Sequence, residues 1–99
     1  MSQSEAPVPR EGEWEVTYRS TVEQDVARLP EHIRQRAFGV VNNLTLDAFP
    51  QGCKKLQGAV SRYSIRIRRD YRVVYSVFKT ERVIKIEFIG HRKDAYRWF

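Results

Sequence analysis

The chain has a single cysteine and no long apolar run, and both shortages limit its class. Cys53 is the only cysteine among 99 residues, so no internal disulfide can form and a reducing, cytoplasmic setting is expected. No hydrophobic run approaches the roughly 20 residues that span a bilayer. The first 13 residues also lack the basic and then apolar pattern of a signal peptide. We therefore expect a cytoplasmic protein with no membrane partner.

Motifs for several common kinds of chemistry are missing as well. The sequence has no Walker phosphate loop, no G-x-G-x-x-G and no G-x-S-x-G turn around a nucleophilic serine. His32 and His91, with one cysteine, give no spacing suited to zinc. The aromatic signature of an RNA-recognition motif is also missing. These absences predict a protein that uses neither a metal nor a cofactor.

Positive charge is what the chain has in excess, and the excess lies in one half. The formal net charge is +6 and the sequence pI is about 9.8. Residues 1–53 carry a net charge of −3, whereas residues 54–99 carry +9. This asymmetry indicates an oriented surface for a polyanion, for which nucleic acid is the usual candidate. The alternative is a charge excess that serves solubility alone.

Hydrophobic periodicity predicts the order β-α-α-β-β-β. Strands are expected over residues 14–19, 62–68, 71–78 and 82–90, helices over 22–29 and from Pro30 to before Pro50, and a loop over 50–60. The last three strands are joined by short links and should pair antiparallel. We expect an α+β fold in which two N-terminal helices pack on one face of a small, mainly antiparallel four-stranded sheet. This domain, residues 14–99, follows a flexible extension over residues 1–13.

Arginines on the predicted strands are the first candidates for a functional site. Alternation places Arg66 and Arg68 on the side of their strand opposite Ile65 and Ile67. A strict two-residue turn would pair Arg72 with Ile67 on the covered face of the sheet. A longer turn or a β-bulge would instead bring Arg72 beside Arg66. The sequence leaves both registers open.

The final stretch adds His91, Arg92 and Tyr96 to these arginines. Guanidinium groups bind phosphate oxygens through paired hydrogen bonds and can stabilise the extra charge of a pentacoordinate phosphorane. An imidazole or a phenol can transfer a proton. Because RNA supplies its own 2′-hydroxyl nucleophile, this set predicts metal-independent phosphodiester cleavage. Alternation puts Arg92 in phase with the covered residues of the last strand, unless Gly90 breaks that phase.

Two segments, YSIRIRRDYRVVYSV and IGHRKDAY, together resemble the RelE group of the RelE/ParE toxin superfamily. The resemblance extends over residues 14–99. It implies the toxin of a toxin–antitoxin module, an endoribonuclease that cuts messenger RNA on the ribosome and is neutralised by a cognate antitoxin protein. Ser64 stands where some relatives have lysine, so Tyr96 or His91 would carry more of the proton transfer. The catalytic residues that the resemblance implies are Arg66, Arg72, His91, Arg92 and Tyr96.

Other cations are predicted to contact the backbone of ribosomal or messenger RNA. They are Lys54, Lys55, Arg68, Lys93 and Arg97. Two functional alternatives remain at this point: a ParE-like toxin that binds DNA gyrase without catalysis, and a non-catalytic RNA-binding or structural member of the same fold. An unpaired strand edge and an apolar groove beside the helices would suit an amphipathic helix of the antitoxin. Trp98 and Phe99 are expected to pack the tail onto the sheet.

Overall fold

The computed structural model describes residues 13–56 and 61–98, which form helices and one sheet. The elements are β1 (Glu15–Tyr18), α1 (Val22–Ala27), α2 (Glu31–Leu44), β2 (Lys54–Lys55), β3 (Arg62–Arg68), β4 (Tyr71–Phe78), β5 (Val83–His91), α3 (Arg92–Ala95) and a final 3-10 turn (Tyr96–Trp98). The predicted α+β fold with two N-terminal helices is confirmed. Residues 1–12 of the predicted extension, and Phe99, lie outside the described residues.

The described part of the sheet has five strands rather than the predicted four, in the order β1-β5-β4-β3-β2. The additional strand, β2, lies in the segment that the sequence predicts as a loop. It pairs antiparallel with β3, Lys54 opposite Ser64 and Lys55 opposite Tyr63. Two residues are too few to show an alternating pattern, so periodicity could not reveal this strand. At the other edge, β1 runs parallel to β5.

A continuous apolar core lies between the helices and one face of the sheet. Its fully buried side chains include Leu44, Val73, Tyr75, Val77, Ile84 and Ile86. The hydroxyl of Tyr75 donates a 2.9 Å hydrogen bond to the carbonyl of Ala48, which satisfies the polar end of a buried ring. Burial raises the pKa of Tyr75 far above its ordinary value. The phenol therefore stays neutral and anchors the loop after α2 to the sheet.

The opposite face of the sheet carries a second, smaller buried cluster. Leu56, Val74, Phe88 and Ala95 form it, and Trp98 packs against them. The C-terminal segment, residues 92–98, therefore lies across this face and covers part of it. The expectation that Trp98 packs the tail onto the sheet agrees with this arrangement.

Gly90 lies on this second face, directly beneath the ring of Phe88. A Cβ at position 90 would lie 2.5 Å from the Phe88 Cζ, and this ring is only 4% exposed. We expect Gly90→Ala to lower the free energy of unfolding by about 1–3 kcal/mol through overpacking. Chemical denaturation measures the change. Gly39→Ala is the control, because a Cβ there meets nothing within 4 Å, and equal stability of both variants would contradict the prediction.

Helix α1 covers the part of β5 that extends beyond β1. There the buried Asp25 accepts a 3.3 Å hydrogen bond from the amide of Ile89 through Oδ2. Burial raises the pKa of Asp25 above its ordinary value, although this hydrogen bond and the charges of Arg28, Arg97 and Arg19 oppose the shift. The folded chain therefore holds the Asp25 proton more tightly than the unfolded chain does.

This shift predicts a pH-dependent effect of Asp25→Asn, which keeps an oxygen acceptor for Ile89 but carries no charge. Where the folded protein binds more protons than the unfolded chain, stability falls as pH rises. The stability of the wild type should therefore decline relative to Asp25→Asn as pH rises from the ordinary carboxyl pKa through the raised one. Urea titrations of both proteins between pH 3 and pH 7 test this. The prediction is refuted if the free energy of unfolding of Asp25→Asn minus that of the wild type stays constant or falls as pH rises.

Candidate functional site: a basic cleft

A β-bulge in β3 decides which arginines share a face of the sheet. Arg66 pairs with Arg72, whereas Arg68 pairs with Tyr71, and the register shifts between them. Cross-strand partners point to the same face, and successive residues of one strand point to opposite faces. Because Tyr71 packs against the main core, Arg68 lies on the helix side. Of the two registers that the sequence leaves open, the structure has the one that joins Arg72 to Arg66. The expectation that Arg66 and Arg68 share a face is wrong.

The basic cleft is a pocket of about 390 Å³ lined by Gly52, Lys54, Ser64, Arg66 and Arg72. Lys54 enters it from β2, where it pairs with the buried Ser64. The sequence predicted Lys54 only as an RNA-backbone contact, because nothing in the pattern showed that a strand carries it beside Arg66. Gly52 allows the preceding turn through a φ of 94°, a conformation that side chains with a Cβ rarely adopt.

Arg92 and Tyr96 lie close enough to Arg72 to act on its charge. The pKa of the Arg72 guanidinium is lowered by burial and then by the positive charges of Arg66 and Arg92, whereas Asp70 and Tyr96 oppose the shift. The Nε of Arg92 lies 3.6 Å from an oxygen of Asp70, and its amide donates a 2.7 Å hydrogen bond to the Asp70 carbonyl. Four of the five predicted catalytic residues therefore gather at one end of the sheet.

His91 is the predicted catalytic residue that this structure does not bring to the cleft. It pairs with Tyr71, and the two rings meet edge to face at 5.3 Å between centroids. Its Nδ1 accepts a 3.1 Å hydrogen bond from the amide of Lys93 and so caps α3. The imidazole therefore lies on the helix side of the sheet, where it begins the turn that carries Arg92.

The remaining predicted RNA contacts are spread around the cleft rather than gathered in it. Lys55, Arg68 and Lys93 are exposed, and Lys55 pairs with Tyr63, on the face opposite Lys54. The guanidinium of Arg97 lies 5.3 Å from the ring centroid of Phe88. It lines a separate pocket of about 450 Å³ beside α1. Contact with RNA stays a prediction for each of these cations.

Sequence analysis did not predict that the carboxylate of Glu87 in β5 is buried. Only 6% of the residue is exposed, and two arginines lie within ion-pair distance of it. A charged residue inside the apolar run IEFIG was the available signal, because buried charges in strands require partners.

The arrangement is suited to bind a phosphate and to stabilise negative charge that develops on it. The guanidiniums of Arg66 and Arg72 and the ammonium of Lys54 line the cleft. The guanidinium of Arg92 adds its charge near Arg72 and pairs with Asp70. Within residues 13–56 and 61–98, no group of three or more His, Cys, Asp or Glu side chains could hold a metal ion. None of the helices in these ranges is long and apolar enough to cross a membrane.

Comparison with solved structures shows the same fold in several toxins. The RelBE2 toxin–antitoxin complex of Mycobacterium tuberculosis has a TM-score of 0.69 at 22% identity, covering 81% of this chain and 99% of that one. The RelE–RelB complex of Pyrococcus horikoshii has a TM-score of 0.67 at 26% identity, covering 80% and 94%. The isolated RelE toxin of E. coli has a TM-score of 0.69 at 17% identity, covering 87% and 99%.

Sequence comparison gives the family directly. No curated protein sequence matches this chain significantly. Residues 16–96, however, match the family described as the ParE toxin of the type II toxin–antitoxin system parDE. This range contains both segments that carry the resemblance to RelE and all the residues that line the basic cleft. The chain therefore belongs to this ParE toxin family, within the RelE/ParE superfamily.

Proposed function

We propose that this toxin is a ribosome-dependent endoribonuclease that cuts messenger RNA without a metal. The observation that carries the proposal is that Arg66 and Arg72 line one pocket, while Arg92 and Tyr96 lie close enough to act on the charge of Arg72. A toxin that acts only by binding a protein would need no such group of like charges. Mutual repulsion of the guanidiniums is relieved when an anion binds between them.

The chemistry requires little from the protein beyond placement and charge. The 2′-hydroxyl of RNA attacks the adjacent phosphorus, the bond to the 5′-oxygen breaks, and a cyclic phosphate remains. Negative charge grows on the non-bridging oxygens, where preorganised guanidiniums stabilise it. Arg72 is held for this task, because its Nη1 donates to the carbonyls of Arg69 and Tyr71 at 3.4 and 3.3 Å. With His91 on the other face, Tyr96 is the group that we assign to proton transfer.

The proposal includes a cognate antitoxin as partner, as in the RelBE2 and RelE–RelB complexes. A groove of about 440 Å³ beside the helices is lined by apolar side chains that include Val22, Val26, Val41 and Ile89. Tyr18 and Phe38 at its rim are each 57% exposed. An amphipathic helix of an antitoxin would bury these rings. Since ribosomes and message are the substrate, we place the toxin in the cytoplasm.

A translation reaction with purified toxin and a defined message tests the function. Cuts inside codons that require translating ribosomes support the proposal, and a 2′-deoxy substitution at the cut nucleotide should abolish cleavage there. A parallel supercoiling reaction tests the alternative of a ParE-like toxin that binds DNA gyrase. Intact message together with inhibited supercoiling would replace the nuclease with that alternative.

A further inference from the structure

We propose that Glu87 is a positioning residue for the basic cleft, acting through Trp98. In this inference, which rests on the proposed function, Glu87 fixes two arginines that hold the ring of Trp98. Trp98 in turn holds the C-terminal segment that carries Arg92 and Tyr96. Glu87 itself touches neither the cleft nor a substrate in it.

The carboxylate of Glu87 is buried and has three partners. Ser76 Oγ donates a 2.7 Å hydrogen bond to its Oε2. Arg19 lies 3.8 Å from Oε1 and Arg62 lies 4.0 Å from Oε2. Because Ile86 lies in the main core, alternation along β5 points Glu87 to the opposite face of the sheet, on which Trp98 packs. Since a buried carboxylate is costly without compensation, the two arginines are drawn to this point.

Both arginines also lie over the indole of Trp98. The guanidinium carbons of Arg19 and Arg62 are 5.2 and 5.1 Å from the ring centroid, within the distance of a cation–π contact. Within the described residues, the buried Nε1 of Trp98 finds no hydrogen-bond partner. Contacts to the faces and edges of the ring, including Phe88 at 6.4 Å, therefore hold it in place.

We call the contacts of Glu87, Arg19 and Arg62 that hold the Trp98 ring the clamp. The clamp matters because it fixes the far end of the C-terminal segment. The near end is fixed at Arg92, whose amide and guanidinium both contact Asp70. Tyr96 lies between the two anchors, at the start of the 3-10 turn that ends at Trp98. Backbone placement of residues 92–98 therefore sets where the phenol sits, and catalysis is sensitive to such placement.

The test uses Glu87→Gln in a Trp14→Phe background, in which Trp98 is the only tryptophan. Glutamine keeps an acceptor for Ser76 but loses the attraction to both arginines. We expect acrylamide to quench Trp98 fluorescence more strongly, and kcat for ribosomal cleavage to fall on the order of tenfold with KM unchanged. Glu81→Gln, an exposed turn position, is the matched control and should change neither quantity.

Two further variants keep the result interpretable. If Glu87→Gln fails to fold, Trp98→Ala should reproduce the fall in kcat. In a Tyr96→Phe background, Glu87→Gln should slow cleavage less than twofold further, because both changes act through the same phenol. Unchanged quenching overturns the clamp, and a parental kcat with a loosened Trp98 overturns the positioning role. A parent toxin that cuts no message is a different result, since it overturns the proposed function and this role with it.

Discussion

Replacing Arg72 by alanine is expected to slow single-turnover cleavage of ribosome-bound message by about 100-fold or more. Arg72 lies at the centre of the cationic group, beside Arg66 on the neighbouring strand and near Arg92. The variant removes a preorganised donor from the place where charge develops on phosphorus. The loss should appear in kcat more than in KM, because the proposed interaction strengthens only as charge develops in the transition state. Quench-flow on stalled ribosomes with a labelled message measures both.

Stability separates this effect from unfolding. Arg66 and Arg92 repel Arg72 in the free protein, so Arg72→Ala should not lower the free energy of unfolding. Arg36→Ala, on the exposed side of α2, is the matched control and should cut at the parental rate. Arg72→Lys keeps the charge without the planar fork and should retain intermediate activity. If Arg72→Ala cleaved message at the parental rate, the basic cleft would have no part in the mechanism.

Strand positions were predictable because each long strand has its own alternating run. The predicted strands at 62–68 and 71–78 agree with the structure, and 82–90 differs from β5 by one residue at each end. Strand β2 was not predictable, because its two lysines are too short a segment to show an alternation of apolar and polar residues. Helix α2 begins at Glu31, one residue after the predicted start, since Pro30 serves as its N-cap.

The composition of the site was more predictable than its geometry. Two β-bulges shift the side-chain phase, and neither leaves a mark in the pattern of apolar residues. The bulge in β3 separates Arg68 from Arg66. The shift between β4 and β5 puts Ile86 in the main core but Phe88 in the second cluster, although both positions have the same parity in sequence. Counting alternate residues from Ile86 therefore could not predict on which face of the sheet His91 lies.

Arg92 leaves the strand pattern altogether, because α3 starts at this residue with His91 as its N-cap. The alternation of β5 therefore does not put Arg92 on the covered face, because Arg92 belongs to a helix and not to the strand. What the sequence did contain was the set of chemical groups, since the cluster needs only strong cations and a phenol near the ends of β3, β4 and β5.

Tyr96→Phe is expected to reduce kcat by about 100-fold or more, because a positioned proton-transfer group typically contributes 10²–10⁴-fold. The change removes one hydroxyl and leaves the ring, so the fold and the charge of the cleft persist. Tyr18→Phe, which removes a hydroxyl from an exposed tyrosine in the groove beside the helices, is the matched control. Single-turnover cleavage on the ribosome is again the measurement.

The atom that Tyr96 serves can be identified by changing the leaving group. A message with sulfur in place of the bridging 5′-oxygen releases a thiolate, which leaves without needing a proton. If Tyr96 protonates the leaving oxygen, parent and Tyr96→Phe should cut this message at the same rate. If Tyr96 instead takes the proton from the 2′-hydroxyl, the defect should persist. An unmodified message cut equally fast by both proteins would exclude the phenol from proton transfer and leave the three guanidiniums as the catalytic machinery.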